Sequence, residues 1–502
     1  MTFPLIVSVA PFAIFLSLLL ITKTKLSYAA AAAYGAMVIV AIAGWGVSGT
    51  VVGAASVKGI AVATDIFIIL IGAVFFLDVL EKHHVIEHIS YRLESVSRDY
   101  RVRMILLAWF LENFIEGTAG FGTPTAIAVP LLIGMGFSAL DAVVLSLLGN
   151  SASVVFGAAG APIRVGFSGL AGPLVPHLAA LANIPGILVP VFMLWFATQA
   201  RHESSKVFWE ALPFALASGI AYIGASMLFV GFGQEFPSIL GAVVGLGIML
   251  ACIRFGWFVP VAVRTLRRAG EPASRVSLGA MVAPYAMLVG LLVAGKAVLG
   301  SVTLALPFGV QHVFNVFNPG FAFLVAAAVV AIAWGKKVEL SLPRALMDAV
   351  ARTAEPFLVI ASMSAVTQLM IMSGANASGR PSILSVIGSV FENRFMGFWA
   401  PFLGMFGSFV TGSATVANIM FGNVVAYVAS TLSMSVDWGL ALLVVGGAAG
   451  NMIALADMLT AETVAGIRHQ EIAILRRVLV PCLIYIGLVG LIGLLFMRPY
   501  GL

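Results

Sequence analysis

Apolar runs of about 20 residues recur from one end of the chain to the other, and each is long enough to cross a hydrocarbon layer about 30 Å thick as a helix. Of the 502 residues, 61% are hydrophobic and only 10% are charged, against roughly 25% charged residues in a soluble domain. A transmembrane β-barrel would show short alternating segments instead. The sequence therefore predicts an all-α polytopic membrane protein whose surroundings are the lipid bilayer.

Charged breaks between the apolar runs predict about twelve transmembrane helices. They lie near residues 4–22, 27–45, 60–80, 140–160, 176–199, 208–232, 236–258, 277–300, 313–334, 355–373, 438–460 and 476–497. Two more apolar segments, residues 104–133 and 397–430, are too rich in glycine and small polar residues for ordinary spans. We predict that each is a re-entrant helical hairpin, because non-helical backbone at that depth needs protein or water around it.

The basic residues indicate how these spans are oriented. Of 27 Lys and Arg residues, 21 lie in alternate loops, which predicts that those loops are cytoplasmic and that the N-terminus is outside. The loops are residues 23–26, 81–103, 201–206, 254–275, 336–352 and 468–477, and the remaining basic residues are Lys58, Arg164, Lys296, Arg380, Arg394 and Arg498. Since orientation explains the basic loops, nucleic-acid binding has no support. An odd number of spans separates the two hairpins, so the sequence predicts that they enter from opposite sides, as inverted repeats.

The two hairpins share a sequence pattern. Residues 114–119 and 409–414 both read Phe-[Ile/Val]-x-Gly-[Thr/Ser]-Ala, and each hairpin is followed by a span with Gly-Asn near its middle, at residues 149–150 and 450–451. Small residues in membrane helices often serve only close packing. Glycine followed by a carboxamide also weakens a helix and supplies polar groups where the backbone opens. Four such places in two copies favour helices broken around a substrate, which is typical of secondary transporters.

This layout predicts four segments. Residues 1–103 hold the first three spans, and residues 104–200 hold the first repeat core, a hairpin plus a broken helix. Residues 201–354 hold the central spans with their basic loops, and residues 355–502 hold the second repeat core. The two repeat cores together are predicted to form the transport unit.

Several motifs carry a resemblance to a known family. Residues 114–124, 131–137, 150–162 and 411–422 resemble motifs of the lactate permease family, and residues 59–77 resemble its third span. The likeness covers most of the chain. It implies proton-coupled symport of small 2-hydroxymonocarboxylates (L-lactate, D-lactate and glycolate) across a bacterial cell inner membrane by a multi-pass protein. The alternative is an H⁺- or Na⁺-coupled transporter of another small organic anion on the same fold.

The second half of the chain departs from the family pattern. The family usually has Gly-Ser-Asp-Thr in the second hairpin, where residues 412–415 read Gly-Ser-Ala-Thr. Its late span usually reads Gly-Lys-Met-Ile-Ser-Pro-Gln, where residues 450–456 read Gly-Asn-Met-Ile-Ala-Leu-Ala. A carboxylate, a lysine and two polar groups are therefore missing. These losses leave open which acid is carried and whether H⁺ or Na⁺ drives it.

A hydroxycarboxylate in the membrane needs groups that replace its hydration. Helix N-termini can do this for an anion, hydroxyl and carboxamide side chains add hydrogen bonds, and glycines allow close backbone approach. The predicted substrate-binding residues are Gly117, Thr118, Gly120, Gly122, Thr123, Asn150, Ser151, Gly412, Ser413, Thr415, Asn418 and Asn451. No cofactor and no metal site is predicted.

Three intramembrane acids are candidates for proton coupling, namely Glu116, Asp65 and Asp457. An ionised carboxylate is costly in apolar surroundings, and membrane acids commonly carry protons. Glu116 has the alternative of capping a hairpin helix or pairing with a neighbour such as an asparagine. Asp65 could instead be the buried partner of a hydroxyl, and Asp457 could take the role that Ala414 leaves vacant.

Two further charges are expected to be less central. Glu112, one helical turn before Glu116, is interpreted as a solvated charge near a loop in preference to a relay member. Arg164 is interpreted as a surface residue at the outer side, with attraction of an anion before entry as its alternative.

Other classes of protein fit less well. A channel would need rings of charge or a carbonyl filter, and an enzyme would need a nucleophile with its base or a metal-binding motif; we find none of these. The sequence has no GxxxxGK[ST] phosphate loop to support ATP-driven transport. It leaves open whether two copies form a homodimer.

Overall fold

The computed structural model describes residues 2–22, 24–120, 122–265, 278–334, 341–393 and 395–497, and most of them are helical. The first half contains α1 (Thr2–Leu20), α2 (Leu26–Ile39), α3 (Gly49–Lys82), α4 (Val85–Val96), α5 (Tyr100–Ile105), α6 (Glu112–Thr118), α7 (Thr123–Gly134), α8 (Ala139–Gly149), α9 (Gly157–Arg164), α10 (Val175–Ala182), α11 (Val189–Ala200), α12 (Ser205–Phe229) and α13 (Pro237–Phe255). The second half contains α14 (Leu278–Val298), α15 (Pro319–Trp334), α16 (Leu342–Met372), α17 (Ile383–Phe391), α18 (Met396–Thr411), α19 (Ala414–Thr431), α20 (Val436–Gly450), α21 (Leu455–Ala465) and α22 (Glu471–Phe496). Parts of two predicted basic loops, residues 266–277 and 335–340, lie outside the described residues, as do Phe121, Arg394 and Arg498.

The prediction of an all-α polytopic membrane protein is confirmed. Among the described residues, nine helices are long and apolar enough to cross a membrane, or ten if the bent pair α8 and α9 counts as one. Eight of the nine coincide with predicted spans, and the ninth, α19, is the second arm of the hairpin predicted over residues 397–430. Three further predicted spans correspond to shorter apolar helices, which are Pro4–Leu19, Ala283–Val298 and Pro319–Ala333.

Several predicted boundaries are wrong, and the span predicted from residue 60 is helical from Gly49 onward. The span expected from residue 313 begins at Pro319, and the residues before it form an antiparallel hairpin of β1 (Ser301–Ala305) and β2 (Gln311–Asn315). Asn318 caps the helix by accepting the Gly320 amide at 2.9 Å, and Pro319 suits the first helical position because its missing N–H needs no partner there. The loop expected to run to residue 352 is helical from Leu342 onward, because charged residues mark where a helix leaves the membrane and not where it ends.

The backbone is interrupted at each of the four places that the glycine patterns indicate. The first hairpin breaks between α6 and α7, and the second breaks between α18 and α19. Asn150 ends α8, and the chain bends by 42° before it continues through the short helix Ala152–Phe156 into α9. Asn451 likewise ends α20 and opens the short helix Asn451–Ile453 before α21. The opposite orientation of the two copies stays a prediction.

Glycines let each hairpin pack directly on the broken helix that follows it. A Cβ atom on Gly149 would overlap the carbonyl oxygen of Ala108 in the first hairpin. In the second half, a Cβ atom on Gly446 would overlap the carbonyl oxygen of Pro401. The two halves therefore repeat the same glycine contact between a hairpin arm and a broken helix.

The first spans also pack against the second half of the chain. Helix α3 lies along both α15 and α16, and α16 contacts α2. The predicted boundary between residues 354 and 355 falls inside α16. The division into four functional segments stays a prediction.

A buried ion pair lies at the end of the bundle that is predicted to be cytoplasmic. Arg101 is fully buried, and its guanidinium donates to both carboxylate oxygens of Asp99, at 3.0 and 2.7 Å. It also donates to the carbonyl oxygens of Val207 at 2.7 Å and Ala262 at 2.8 Å. One side chain thus ties the start of the first hairpin to α12 and to the segment after α13.

We expect Arg101→Gln to lower the free energy of unfolding by about 3–5 kcal/mol, because it leaves Asp99 buried without its cation. The melting temperature of the purified protein in detergent measures this effect. Arg92→Gln, on the exposed face of α4, is the matched control and should change stability little. Equal melting temperatures for the two variants would contradict this role of Arg101.

Candidate substrate site between the broken helices

A small cavity, which we call the central cavity, lies where the two hairpins and the two broken helices meet. Its volume is about 20 Å³, which is room for little more than one water molecule. The lining residues come from all four interrupted elements: Glu116, Gly120, Gly122, Val154, Gly157, Ala158, Pro162, Gly412, Ser413, Ala414, Thr415 and Asn451. The structure therefore brings together residues about 300 positions apart in the sequence.

The break of the first hairpin depends on two glycines. Gly120 and Gly122 have φ angles of +61° and +77°, which side chains with a Cβ atom rarely adopt. The carboxyl of Glu116 folds back over this turn, so that its Oε1 atom would lie 3.1 Å from a Cβ atom on Gly120. The same oxygen also approaches Gly157 so closely that a Cβ atom there would overlap it.

The second hairpin turns at Gly412, whose φ is +69°. The next residue, Ser413, caps α19 by accepting the amide of Val416 at 3.4 Å. Thr411 donates its hydroxyl to the carbonyl oxygens of Gly407 at 2.8 Å and Ser413 at 3.1 Å, which holds the turn in place. The first residues of α19 consequently border the cavity.

The broken helix of the first half contains an unusual backbone turn. Ala158, Ala159 and Gly160 follow one another with φ angles of +42°, +52° and +79°. Non-glycine residues in this region are strained, and such strain often occurs at functional sites. The turn presents Gly157 and Ala158 to the cavity, and Pro162 lines it one helical turn later.

Each half of the chain places a carboxyl beside an asparagine. Glu116 lies beside Asn150, and Asp457 lies beside Asn451. Both acids are only 4% exposed. Asp457 Oδ1 would lie 3.4 Å from a Cβ atom on the cavity residue Gly122, and the charges of the two acids are close enough to interact. Glu116 therefore lines the cavity, Asp457 lies next to it behind Gly122, and no cation is among the described lining residues.

Two helix N-termini also meet this cavity. Gly122 precedes the first residue of α7, and Ser413, Ala414 and Thr415 form the start of α19. A helix N-terminus carries partial positive charge and unpaired N–H groups, so it favours an anion without a full positive charge. These groups are chemically suited to an anion next to acids that can carry a proton.

Some predicted binding residues support the cavity from outside it. Asn418 donates to the Pro162 carbonyl oxygen at 2.9 Å and so joins the second hairpin to the first broken helix. Thr118 donates to the Ile115 carbonyl oxygen at 2.8 Å, and Ser151 donates to that of Leu148 at 2.7 Å. None of these three residues lines the cavity.

Three more predicted residues lie next to the cavity without lining it. Gly117 packs against Ile239 of α13, where a Cβ atom would lie 2.8 Å from the backbone nitrogen. Thr123 is the half-buried first residue of α7. Asn150 is 1% exposed, and its amide lies beside the carboxyl group of Glu116.

Asp65 lies in a different environment from the other two acids. Its carboxylate contacts Nε2 of His312 on β2 at 3.0 Å, and its charge interacts with Lys58 and Arg164. Lys58 in turn contacts Nδ1 of His312 at 3.4 Å. The partner of Asp65 is therefore the β-hairpin at the predicted outer side.

The expectation that Glu112 is solvated is wrong. Glu112 is fully buried because α6 packs into the hairpin, and it accepts the Ser146 hydroxyl at 2.5 Å. Its neighbour Asn113 is also fully buried, and its amide has no hydrogen-bond partner in the described chain. Their position one helical turn before Glu116 indicated that both side chains are buried. A charge close to a predicted loop indicated instead that Glu112 is solvated.

The sequence reasoning also left out the cavity residues of the first broken helix. Val154, Gly157, Ala158 and Pro162 contribute backbone and small side chains instead of polar groups. The available signal was the run Gly-Ala-Ala-Gly-Ala-Pro at residues 157–162, since glycines and a proline in a span predict a break.

The fold and this cavity define a class of helical membrane proteins in which interrupted helices enclose a buried polar site. The L-lactate permease family matches residues 4–295 and 288–498, so the chain belongs to that family. The members are permeases, which confirms the prediction of a transporter and not an enzyme.

Individual relatives support the same assignment. The chain is 26% identical over 481 residues to a putative L-lactate permease of Haemophilus influenzae, covering 88% of both chains. It is 26% identical to the L-lactate permease of Bacillus subtilis, over 80% of this chain and 79% of that protein. It is also 27% identical to the glycolate permease GlcA of Escherichia coli, over 85% of this chain and 83% of that protein.

Proposed function

We propose that this protein carries small 2-hydroxymonocarboxylates, namely L-lactate, D-lactate and glycolate, across a bacterial inner membrane by proton symport. The observation that carries the proposal is the cavity between the broken helices, where two helix N-termini meet the carboxyl group of Glu116 and the buried carboxyl group of Asp457 lies close by. The substrate class is supported by relatives that are named L-lactate permease and glycolate permease.

The N-termini of α7 and α19 would bind the substrate carboxylate. The hydroxyls of Ser413 and Thr415 and the amide of Asn451 would bind its remaining oxygens, while the turn glycines keep the backbone close. A cavity of about 20 Å³ does not hold such a molecule, so the hairpins and broken helices have to separate for the substrate to enter. We propose that segments 104–200 and 355–502 form the unit that makes this movement.

Proton coupling would follow from the crowding of negative charge. A bound carboxylate beside Glu116 and Asp457 brings a third acid into a buried site, where like charges repel strongly. A proton on Glu116 removes one of these charges, so anion binding and proton binding favour each other. In this scheme Asp457 supplies the carboxyl group that is missing from the second hairpin, where residue 414 is alanine.

A second candidate is sodium-driven transport of another small organic anion. The specific observation in its favour is that the cavity combines the carboxyl group of Glu116 with hydroxyl and amide oxygens, which are also suitable ligands for a hard cation. The two coupling ions are therefore tested separately.

The test is uptake of labelled L-lactate and glycolate into proteoliposomes with an imposed pH gradient or an imposed sodium gradient. We expect the pH gradient alone to drive accumulation of both acids at a clamped membrane potential, and an excess of D-lactate to compete. Accumulation driven only by sodium would support the second candidate. Absence of uptake of both labelled acids would overturn the proposed substrate class.

We expect Thr415→Val to raise KM for L-lactate about tenfold with little change in Vmax. The substitution keeps the shape of the side chain but removes its hydroxyl, and a hydrogen bond to a charged group contributes about 1.5–3 kcal/mol. Initial uptake rates measure the effect. Thr431→Val, at the exposed end of the same helix, is the control, and an unchanged KM in Thr415→Val would remove this hydroxyl from the site.

A further inference from the structure

A second, larger cavity lies at the end of the bundle that the basic residues predict to be external. We call it the outer vestibule; its volume is about 710 Å³, and its charged or titratable lining residues are Arg164, His177, Glu235 and Lys296. These residues come from the end of α9, from α10, from the turn between α12 and α13, and from α14. All of these places fall at predicted outer ends, so their convergence agrees with the predicted orientation.

Three of these side chains form an ion cluster. Glu235 is 1% exposed and accepts from both Arg164 and Lys296, with Lys296 Nζ 3.1 Å from its Oε2. Arg164 also lies over the ring of Phe317 and donates to its carbonyl oxygen at 3.3 Å. The expectation of a surface arginine is therefore wrong, because the Arg164 side chain is only 17% exposed.

The cluster has more positive than negative charge. Two cations share the single carboxylate of Glu235, so one positive charge among the described lining residues is unmatched. Asp65 interacts with Arg164, but its carboxylate is already held by His312 near Lys58. An incoming carboxylate would complete this balance, and an arginine fork can bind it through two hydrogen bonds.

The vestibule and the central cavity are separated by a single turn of α9. Arg164 ends that helix and lines the vestibule, whereas Pro162 lines the central cavity. The left-handed turn of α9 packs against the segment that holds Glu235, since a Cβ atom on Gly160 would lie 2.5 Å from the Gln234 carbonyl oxygen. The Arg164–Glu235 pair is therefore joined through the backbone of α9 and the packing of Gly160 to the residues that line the central cavity.

We propose that the outer vestibule is a first binding site for the substrate carboxylate, where the substrate displaces Glu235 from Arg164 before it moves to the central cavity. Glu235 acts as a built-in competitor that occupies Arg164 when no substrate is present. This inference rests on the proposed function for the identity of the substrate. The chemistry it requires is that of a small monocarboxylate.

The test compares initial rates of L-lactate uptake at fixed pH in Arg164→Gln, Glu235→Gln and the double variant. Arg164→Gln should raise KM about tenfold, since it removes a charged hydrogen-bond partner. Glu235→Gln should lower KM severalfold because the competitor is gone, and the double variant should behave as Arg164→Gln does. Arg380→Gln, another arginine at the predicted outer side, is the control and should leave KM unchanged.

A merely structural ion pair predicts a different pattern. Both single variants would then lose Vmax and melting temperature with KM unchanged, and the double variant would recover both. That result would overturn the proposal, as would a raised KM in Glu235→Gln. The double variant also keeps the test valid if Arg164→Gln does not fold.

The two proposals fail separately. If the wild type transports neither L-lactate nor glycolate, the proposed function fails, and the vestibule is then probed with sodium acetate in a thermal-shift titration of the purified protein. If the vestibule binds a carboxylate, Glu235→Gln should need the lowest acetate concentration for half-maximal stabilisation. Wild type should need a higher concentration, and Arg164→Gln the highest. Equal concentrations for the three proteins would overturn it.

Discussion

Glu116→Gln is expected to abolish gradient-driven accumulation of substrate while exchange of substrate across the membrane continues in part. The glutamine keeps the size of the side chain beside Gly157 and Asn150 but can no longer take up or release a proton. Transport would then be uncoupled from the pH gradient, and internal substrate would rise only to the external concentration. Proteoliposomes loaded with unlabelled L-lactate measure exchange, and empty ones with an imposed pH gradient measure accumulation.

Glu355→Gln is a suitable control for this experiment. Glu355 lies in the long helix α16, where it accepts the Ser27 hydroxyl at 3.0 Å, and it does not line the central cavity. This variant should accumulate substrate as the wild type does. Full accumulation by Glu116→Gln as well would remove Glu116 from the coupling mechanism.

The second large effect is expected from Gly149→Ala. A methyl group there would overlap the backbone carbonyl of Ala108, and it would lie 2.9 Å from Glu112 Oε2. Backbone atoms cannot rotate away as a side chain can, so the hairpin and the broken helix would have to move apart. We expect a loss of about 3 kcal/mol in stability together with loss of uptake.

Gly446→Ala should fail in the same way, because its methyl group would overlap the carbonyl oxygen of Pro401 in the second half. Gly224→Ala is the control, since nothing lies within 4 Å of a Cβ atom at that helical position. The measurements are the yield of monodisperse protein, its melting temperature and its uptake rate. Wild-type behaviour of both Gly149→Ala and Gly446→Ala would mean that these close contacts are not needed for the fold.

The positions of the four backbone breaks could be predicted because glycine and asparagine weaken a helix locally. Gly120, Gly122 and Gly412 all adopt positive φ angles, and Asn150 and Asn451 both end helices. These are properties of single residues and their chain neighbours, which a sequence displays directly. The same reasoning identified Glu116 at the centre of the first hairpin.

Contacts between distant parts of the chain could not be predicted in this way. The partner of Asp65 is His312, 247 residues away, on a β-hairpin that apolar composition had suggested was the start of a span. Glu235 reaches both Arg164 and Lys296 only because three helix ends converge. Such pairs depend on helix packing, and the sequence of one chain contains no direct signal for it.

In the proposed mechanism, both hairpins and both broken helices enclose one substrate site. The most direct test introduces cysteines at Val154 and Ala414, which line the same cavity from opposite halves of the chain, in a protein whose buried Cys252 and Cys482 are replaced. A short bifunctional thiol reagent should link the two positions in membranes and block uptake, and L-lactate should slow the reaction. A control pair of Ala414 with Gly224, which does not line the cavity, should not become linked. Absence of the Val154–Ala414 link, or a link whose rate L-lactate leaves unchanged, would contradict the account.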